Sequence, residues 1–239
     1  MEWRDEGLLL SVTRHGETAV IIDALTKEHG RARGLVRGGA GRRFASTLQP
    51  GNELLLTWRA RTAEQLGSFS VELIASHADK AIEEREALTV LGSMLALISV
   101  LVPEREPTPL YTPTLAVVRT LDNREARRVG YSKWELALLA DLGFALDLSR
   151  CAGGGGNTDL RYVSPKSGRA VSAEAGAPYA SKLLGLPAYL LRESVAPTKE
   201  DFAASLTLTG FFLKRWALNA IGREALPDAR QRLEALFEA

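Results

Sequence analysis

The stretch Gly30-Arg-Ala-Arg-Gly-Leu-Val-Arg-Gly-Gly-Ala-Gly-Arg-Arg43 decides how the N-terminal third of the chain is interpreted. It contains five arginines and five glycines, and no Asp or Glu occurs from His29 to Asn52. Arginine presents a planar fork of N–H donors that matches phosphate oxygens and stacks on bases. Glycine lets a backbone turn sharply and approach a polyanion closely. The stretch predicts a nucleic-acid surface, and a solvated loop with surface arginines is the alternative.

Five short segments with strand patterns include and surround this stretch. They lie at 8–13, 19–25, 30–37, 53–61 and 67–74, and turn residues separate them. Five short strands in this arrangement predict an oligonucleotide/oligosaccharide-binding (OB) barrel over residues 1–78. An SH3-like barrel is the alternative.

The predicted strand register places basic side chains on the outside of the barrel. In 30–37, Arg31, Arg33 and Arg37 share one face with Leu35. In 54–61, Trp58 is expected in the core, and the opposite face carries Thr57 and two arginines. Phe44 follows two arginines in a loop and is the candidate for base stacking. The predicted DNA-binding residues are Arg31, Arg33, Arg37, Arg42, Arg43, Phe44, Arg59 and Arg61.

Beyond residue 78 the apolar spacing becomes helical, which predicts a helical domain over 79–239 and an α+β fold for the whole chain. One helix is predicted over 83–102, ended by Pro103, with a proline-rich connector over 104–113 and a second helix from 115.

Cap signals and a glycine-rich break divide the rest of this domain. Ser132-Lys-Trp-Glu135 matches a capping box and predicts the start of a third helix. A short hairpin is predicted over 162–171. Thr198 and Gly222 predict the two ends of a long helix, and a last amphipathic helix is expected over 227–237.

Composition narrows the class of protein. The net charge is only +1, so binding of a polyanion must depend on where the charges lie. The single cysteine, Cys151, permits no internal disulfide, which is typical of a reducing compartment. The acidic start of the chain is not typical of a signal peptide, and the longest apolar run, 87–102, is shorter than the ~20 residues of a membrane span. We therefore expect a cytoplasmic protein with no membrane contact.

Two motifs suggest chemistry without supplying the rest of an active site. Arg14-His15-Gly16-Glu17-Thr18 matches a string of the histidine phosphatases, where the histidine accepts the phosphoryl group, but no histidine follows His77. Residues 152–158 are rich in glycine but lack the lysine of a phosphate-binding loop. We predict that His15 is a turn residue, that the chain is not an enzyme, and that it uses no cofactor. A histidine-phosphatase-type enzyme and a protein-only adaptor remain the alternatives.

The order and spacing of several short motifs resemble the RecO family of bacterial recombination mediators, over nearly the whole chain. In the N-terminal part these are Asp23-Ala-Leu-Thr26, Gly30-Arg-Ala-Arg33, Val36-Arg-Gly38 and Leu48-Gln-Pro50. In the C-terminal part they are Leu138-Leu-Ala-Asp-Leu-Gly-Phe144 and Asp159-Leu-Arg-Tyr-Val-Ser-Pro-Lys-Ser-Gly-Arg-Ala-Val171.

The resemblance implies an N-terminal OB fold and a C-terminal helical domain. It implies binding to single- and double-stranded DNA, annealing of complementary strands, and cooperation with RecR in loading RecA onto DNA coated by the single-stranded-DNA-binding protein. It also implies a location in the bacterial cytoplasm, in association with the nucleoid. Some members carry a four-cysteine zinc module in the region of 151–175. Only Cys151 is present here, so we expect a degenerate hairpin without metal.

The family also implies a protein ligand, the acidic C-terminal tail of the single-stranded-DNA-binding protein with its terminal Phe. Such a tail needs an apolar pocket with cations at its rim. The helical domain offers basic residues beside apolar ones, and ordinary helix surfaces with Trp134 and Trp216 in the core are the alternative. The candidate partner-binding residues are Arg127, Arg128, Lys133, Lys214 and Arg215.

Overall fold

The computed structural model describes residues 1–62, 64–154, 156–192 and 195–238, and its first five strands form a closed barrel. The strands are β1 (Glu2–His15), β2 (Ala19–Thr26), β3 (Arg31–Val36), β4 (Glu53–Arg59) and β5 (Ser68–Ala75). They close in the order β1-β2-β3-β5-β4, in which β1 pairs with both β2 and β4, and β3 meets β5 in parallel. This strand order is that of an OB barrel, so the OB prediction is confirmed.

Alternation along the strands fills the barrel as the sequence predicted. Ala32, Gly34 and Val36 face inward from β3, and Trp58 is 5% exposed on β4. The indole Nε1 of Trp58 donates to the carbonyl of Leu66 at 3.0 Å, so its single polar atom is satisfied inside the barrel. The expectation that Trp58 belongs to the core is confirmed.

Three helices complete the first of two compact units, Met1–Asp122. They are α1 (Ala78–Ile82), α2 (Arg85–Leu101) and α3 (Tyr111–Arg119). The third begins before Pro113, although the sequence predicted a connector that reaches this proline. Proline is tolerated in a first helical turn because its missing N–H would have no intrahelical acceptor there.

A buried carboxylate joins these helices to the barrel. The Glu53 side chain is 4% exposed, and Arg119 Nη2 donates to it at 3.2 Å. His77 Nε2 and the Tyr111 hydroxyl lie 3.4 Å from its two oxygens. Burial, together with the Glu53 carboxylate, raises the pKa of Tyr111, so this phenol stays a neutral donor. The predicted domain boundary between residues 78 and 79 stays a prediction.

The second unit, Asn123–Ala239, is mainly helical and begins with α4 (Arg124–Asp141). Asn123 caps α4, since its side-chain oxygen accepts from the Ala126 N–H at 2.9 Å. The predicted capping box at Ser132 and Glu135 is therefore wrong, because both residues lie inside α4. A spacing of three also places two side chains on one face of a continuous helix, so the motif alone does not identify a helix start.

Glu135 instead accepts hydrogen bonds from three elements in a fully buried network. Arg230 is 0% exposed, and its Nε and Nη2 donate to the Glu135 carboxylate at 2.6 and 3.1 Å. The hydroxyls of Tyr131 and Thr209 donate to the same carboxylate at 2.8 and 2.5 Å. Burial lowers the pKa of Arg230, but the Glu135 carboxylate raises it, and the net shift is upward. The network joins α4 to α6 (Lys199–Phe212) and α7 (Asp228–Ala235).

The remaining predicted elements of this unit are present. Thr198 caps α6 in a true capping box with Asp201, and the helix continues as a π-helical segment over Leu213–Leu218. The predicted hairpin consists of β6 (Leu160–Val163) and β7 (Ala170–Ser172), to which β8 (Leu184–Gly185) adds a third strand. A short helix, α5 (Ala173–Gly176), follows β7. No helix among the described residues is long and apolar enough to cross a membrane.

Replacing Arg230 by Met should lower the free energy of unfolding by about 3–5 kcal/mol, because it leaves the Glu135 carboxylate buried without its cation. Arg232 is exposed on the same helix, and Arg232→Met is the matched control, expected within about 0.5 kcal/mol of the parent chain. Urea denaturation of the full chain measures both. Equal stability of the two variants would contradict the assigned role of the network.

Candidate nucleic-acid interface

The loop after β3 carries three exposed arginines, Arg37, Arg42 and Arg43. The segment Arg42–Phe44 forms a single 3-10 turn. Within the part of the chain that the structure describes, no ion pair involves any of these three guanidinium groups. Their donors are therefore accessible to an external anion, and their predicted binding of phosphate stays a prediction.

Apolar residues hold this loop against the barrel. The N–H of Ala40 donates to Thr18 O at 3.1 Å, and the N–H of Leu48 donates to Phe44 O at 2.8 Å. The side chains of Leu48 and Phe44 join the barrel core, the second only partly buried. The arginines are thus presented from a segment with fixed ends rather than from a free loop.

Phe44, the predicted base stacker, has a cation on its ring. The Arg43 guanidinium lies 4.7 Å from the ring centroid, within the range of a cation–π interaction. Because the ring also packs on the core, little of it is left for a base. Stacking on Phe44 stays a prediction.

Arg31 has a different role from its neighbours. Its Nε and Nη2 donate to the Asp23 carboxylate at distances of 2.7 to 3.1 Å, and its Nη1 donates to Val102 O at 3.0 Å. The Arg31 side chain is only 14% exposed. Its donors are occupied inside the first unit, so we do not include Arg31 in the candidate interface.

The other predicted basic residues of the barrel differ in their acidic partners. Arg33 is half exposed and lies 3.4 Å from Glu104, and Arg59 forms an exposed ion pair of 2.8 Å with Glu2. Such exposed pairs are weak, so a phosphate can replace the carboxylate. Arg61 is exposed after β4, and its backbone N–H donates to the Gln65 side chain. These three residues are accessible to a phosphate.

The glycines of this stretch serve packing inside the unit. Gly30 has a φ of +65°, and a side chain there would overlap the backbone of Glu106. A Cβ on Gly34 would lie 2.5 Å from the ring of Phe69. Close packing therefore explains why glycine occupies these two positions, without any approach of the backbone to a polyanion.

The candidate partner-binding residues of the helical unit differ in their burial. Arg127 is fully buried, so its side chain is not on the surface and is left out of any partner site. Arg128 lies over the rings of Phe202 and Phe237, at 5.8 and 5.5 Å from their centroids. Lys133 is partly buried, whereas Lys214 and Arg215 are exposed.

An apolar groove lies beside Lys214. Its volume is about 400 Å³, and Leu206, Phe211 and Phe237 contribute to its walls. The carboxylates of Glu234 and Glu238 also line it. Trp134 is 1% exposed in the core, and Trp216 packs on Phe212 at 4.5 Å, so neither tryptophan is an open anchor for a partner.

The region around Cys151 does not fit a zinc ion. The thiol sulfur accepts the N–H of Ser172 at 3.2 Å, and Asn157 accepts the N–H of Cys151 at 2.9 Å. Among the described residues, no group of three or more His, Cys, Asp or Glu side chains is placed to hold a metal ion. Hydrogen bonds hold the hairpin at this point.

The fold and the surface together define a class of protein. A closed five-stranded OB barrel displays an acid-free arginine loop, and a helical unit with its own core follows it. This is the architecture of an OB-fold protein with a basic surface on its barrel.

Comparison with known proteins identifies the family. The chain matches the family models "Recombination protein O N terminal" over residues 1–77 and "Recombination protein O C terminal" over residues 82–218. The DNA repair protein RecO of Ruegeria sp. (strain TM1040) is 46% identical over 238 residues, which cover 99% of this chain and 98% of that protein. The DNA repair protein RecO of Methylobacterium nodulans is 47% identical over 245 residues, covering 100% and 99%. The chain therefore belongs to the RecO family of DNA repair proteins.

Joint replacement of Arg37, Arg42 and Arg43 by Ala should weaken binding to oligonucleotides and flatten its salt dependence. Each lost phosphate contact reduces the slope of log K against log salt by ~0.7–0.9, so the triple variant should lose about 2–3 units. Fluorescence anisotropy over a salt series measures this slope.

The matched control replaces the exposed Arg150, Arg223 and Arg232 of the second unit by Ala, with the same change in net charge. Its slope should stay close to that of the parent chain. A similar loss in both triple variants would mean that overall charge, and not the loop, determines binding.

Arg31→Ala should mainly affect stability. The change leaves Asp23, which is 5% exposed, without its cation, and should cost about 2–3 kcal/mol, somewhat less than a fully buried pair. The salt slope of DNA binding should not change. If the variant unfolds at the same urea concentration as the parent chain but its DNA binding depends less on salt, Arg31 contacts DNA and belongs to the interface.

Proposed function

We propose that this RecO-family protein is a recombination mediator that binds single- and double-stranded DNA and anneals complementary strands. The observation that carries the proposal is the group of exposed arginines after β3, which has no carboxylate partner among the described residues and lies on an OB barrel. Since its contacts are with phosphates, binding is expected to be independent of sequence and strongly dependent on salt.

Annealing follows from the same electrostatics. Two complementary strands repel each other through their phosphates, and a surface that neutralises part of both backbones lowers this repulsion. Arg37, Arg42 and Arg43 supply the central charges, and Arg33, Arg59 and Arg61 extend the surface. Neither a metal nor a cofactor enters this mechanism.

We further propose that the protein cooperates with RecR to load RecA onto DNA coated by the single-stranded-DNA-binding protein.

The acidic tail of the single-stranded-DNA-binding protein, with its terminal Phe, is proposed to bind the groove beside Lys214. Phe211 and Phe237 offer the ring an apolar contact. The Glu234 carboxylate in the groove pairs with Arg230 Nη1 at 3.0 Å, and this partner reduces its repulsion of an acidic peptide. Removal of the terminal ring is therefore expected to weaken binding more than added salt does.

An enzymatic role for His15 is disfavoured by the placement of the histidines. His15 is exposed at the end of β1, beside the turn at Gly16. His29 contacts Asp5 at 3.0 Å, and the buried His77 contacts Glu53 at 3.4 Å. The second histidine of a phosphatase centre is thus not supplied by either residue. We propose a non-enzymatic protein of the bacterial cytoplasm, associated with the nucleoid.

An annealing assay tests the proposed function. Two complementary strands with a fluorophore pair are mixed at low salt, and the rate of energy transfer is followed with and without protein. The parent chain should accelerate annealing, and the variant lacking Arg37, Arg42 and Arg43 should lose most of this acceleration. The Arg150, Arg223 and Arg232 triple variant is the control. A parent chain that neither binds nor anneals DNA would instead favour the protein-only adaptor.

A further inference from the structure

A second feature of the first unit is a pocket that none of Arg37, Arg42 and Arg43 lines. This pocket of about 290 Å³ opens among Trp3 of β1, His29 before β3, Ala32 and Arg33 of β3, Trp58 of β4, and Arg105. Its size is near the lower end of the ~300–1,000 Å³ that small-ligand pockets occupy. The pocket therefore has room for one small ring system and its substituents.

Three nearly parallel aromatic rings form one side of this pocket. Trp58 and Trp3 are separated by 5.7 Å with an angle of 14°, and Trp3 and His29 by 4.3 Å with an angle of 9°. We call this arrangement the aromatic column. Trp58 is buried in the barrel, whereas the His29 side chain is 40% exposed, so the column runs from the core to the surface and ends in an imidazole.

Hydrogen bonds fix the imidazole at the end of the column. Its Nδ1 lies 3.0 Å from Asp5 Oδ2, and the Asp5 side chain is only 5% exposed. The backbone N–H of His29 donates to Thr26 Oγ1 at 3.1 Å, and the N–H of Glu28 donates to Asp5 at 2.8 Å. The ring is thus held parallel to Trp3 before any ligand arrives, which reduces the entropic cost of stacking another ring on it.

Arg105 reaches the rim through an unusual backbone conformation. It is the one non-glycine residue with a positive φ, +65°, within the described ranges. Its N–H donates to Arg31 O at 2.7 Å, and its Nη2 donates to Gln65 O at 2.8 Å. Such conformations are strained and cluster at binding sites. Here the strain places a guanidinium beside the column.

The charges around the pocket are balanced. Arg33 and Arg105 supply two cations, while Glu28 lines the pocket and Glu104 lies 3.4 Å from Arg33. A ligand held mainly by charge does not suit such a rim. An aromatic ring held by stacking suits it, particularly one with amino or carbonyl groups that can contact both guanidinium and carboxylate.

We propose that one unstacked nucleobase of single-stranded DNA stacks on the His29 imidazole, at the exposed end of the aromatic column. The adjacent DNA backbone then lies over Arg33 and Arg105. The inference rests on the proposed DNA binding, and it adds a base-dependent contact to the salt-dependent contacts of the arginine loop. Bases stack on aromatic side chains without strong sequence preference, so the contact favours single strands over duplexes, whose bases are already paired and stacked.

The test compares an oligothymidine strand with an abasic strand of the same length and charge, using anisotropy and the full chain. His29→Leu keeps apolar bulk but removes the terminal aromatic ring. We expect this variant to bind oligothymidine on the order of tenfold more weakly, with the salt slope unchanged and with unchanged affinity for the abasic strand. His15→Leu, the same change at an exposed histidine of the same barrel, should alter neither affinity.

The outcomes separate the two proposals. If His29→Leu binds both strands as the parent chain does, the column receives no base, and DNA binding by the arginines still stands. Equal weakening on both strands, or a changed slope, would also overturn the column as a base site. A parent chain that binds neither strand would contradict both the site and the proposed function.

Photocross-linking tests the site in the unsubstituted protein and so does not depend on the folding of a variant. A single strand carrying iodouracil is irradiated in complex with the full chain, and the adducts are located by mass spectrometry. Adducts on Trp3 or His29 support the proposal. Adducts confined to Phe44 or to the second unit would overturn it.

Discussion

The ion pair between Arg31 and Asp23 is the interaction on which the rest of the first unit depends. The guanidinium joins β3 to β2 and also reaches the carbonyl of Val102 at the end of α2. The segment that follows α2 then lies along β3, where Arg105 donates to Arg31 O and Glu106 packs on Gly30. One largely buried arginine, Arg31, therefore fixes the connector that carries Arg105, while β3 leads into the exposed loop.

The arginines of one short stretch consequently do three different things. Arg31 is a structural residue, Arg33 forms a weak exposed pair that a phosphate can replace, and Arg37, Arg42 and Arg43 are open to solvent. Composition cannot separate these roles, because all five residues have the same chemistry. Burial and the position of acidic partners separate them, and Asp23 and Glu104 come from other parts of the chain.

The helical unit depends on a similar long-range pair. Glu135 and Arg230 are 95 residues apart, both fully buried, and joined by two hydrogen bonds. Local sequence suggested that Ser132 and Glu135 start a helix, whereas in the structure both are buried in the middle of α4, which starts at Arg124. A motif four residues long carries no information about a partner on α7, so the local sequence could not distinguish a helix start from a position inside a helix.

The sequence by itself determined the five strands, the inward face of β3 and the core position of Trp58, since alternation along a strand is a local property. It also determined the caps at Thr198 and Gly222 and the family of the chain, because the motifs keep their order along it. Only the tertiary structure decided which arginines are open, that Arg127 is buried, and that Trp3, His29 and Arg105 meet at one pocket. No local sequence motif identifies any of these last three residues. They come together because β1, the β2–β3 turn and the segment after α2 converge on one end of a closed barrel, a contact pattern that local periodicity does not encode.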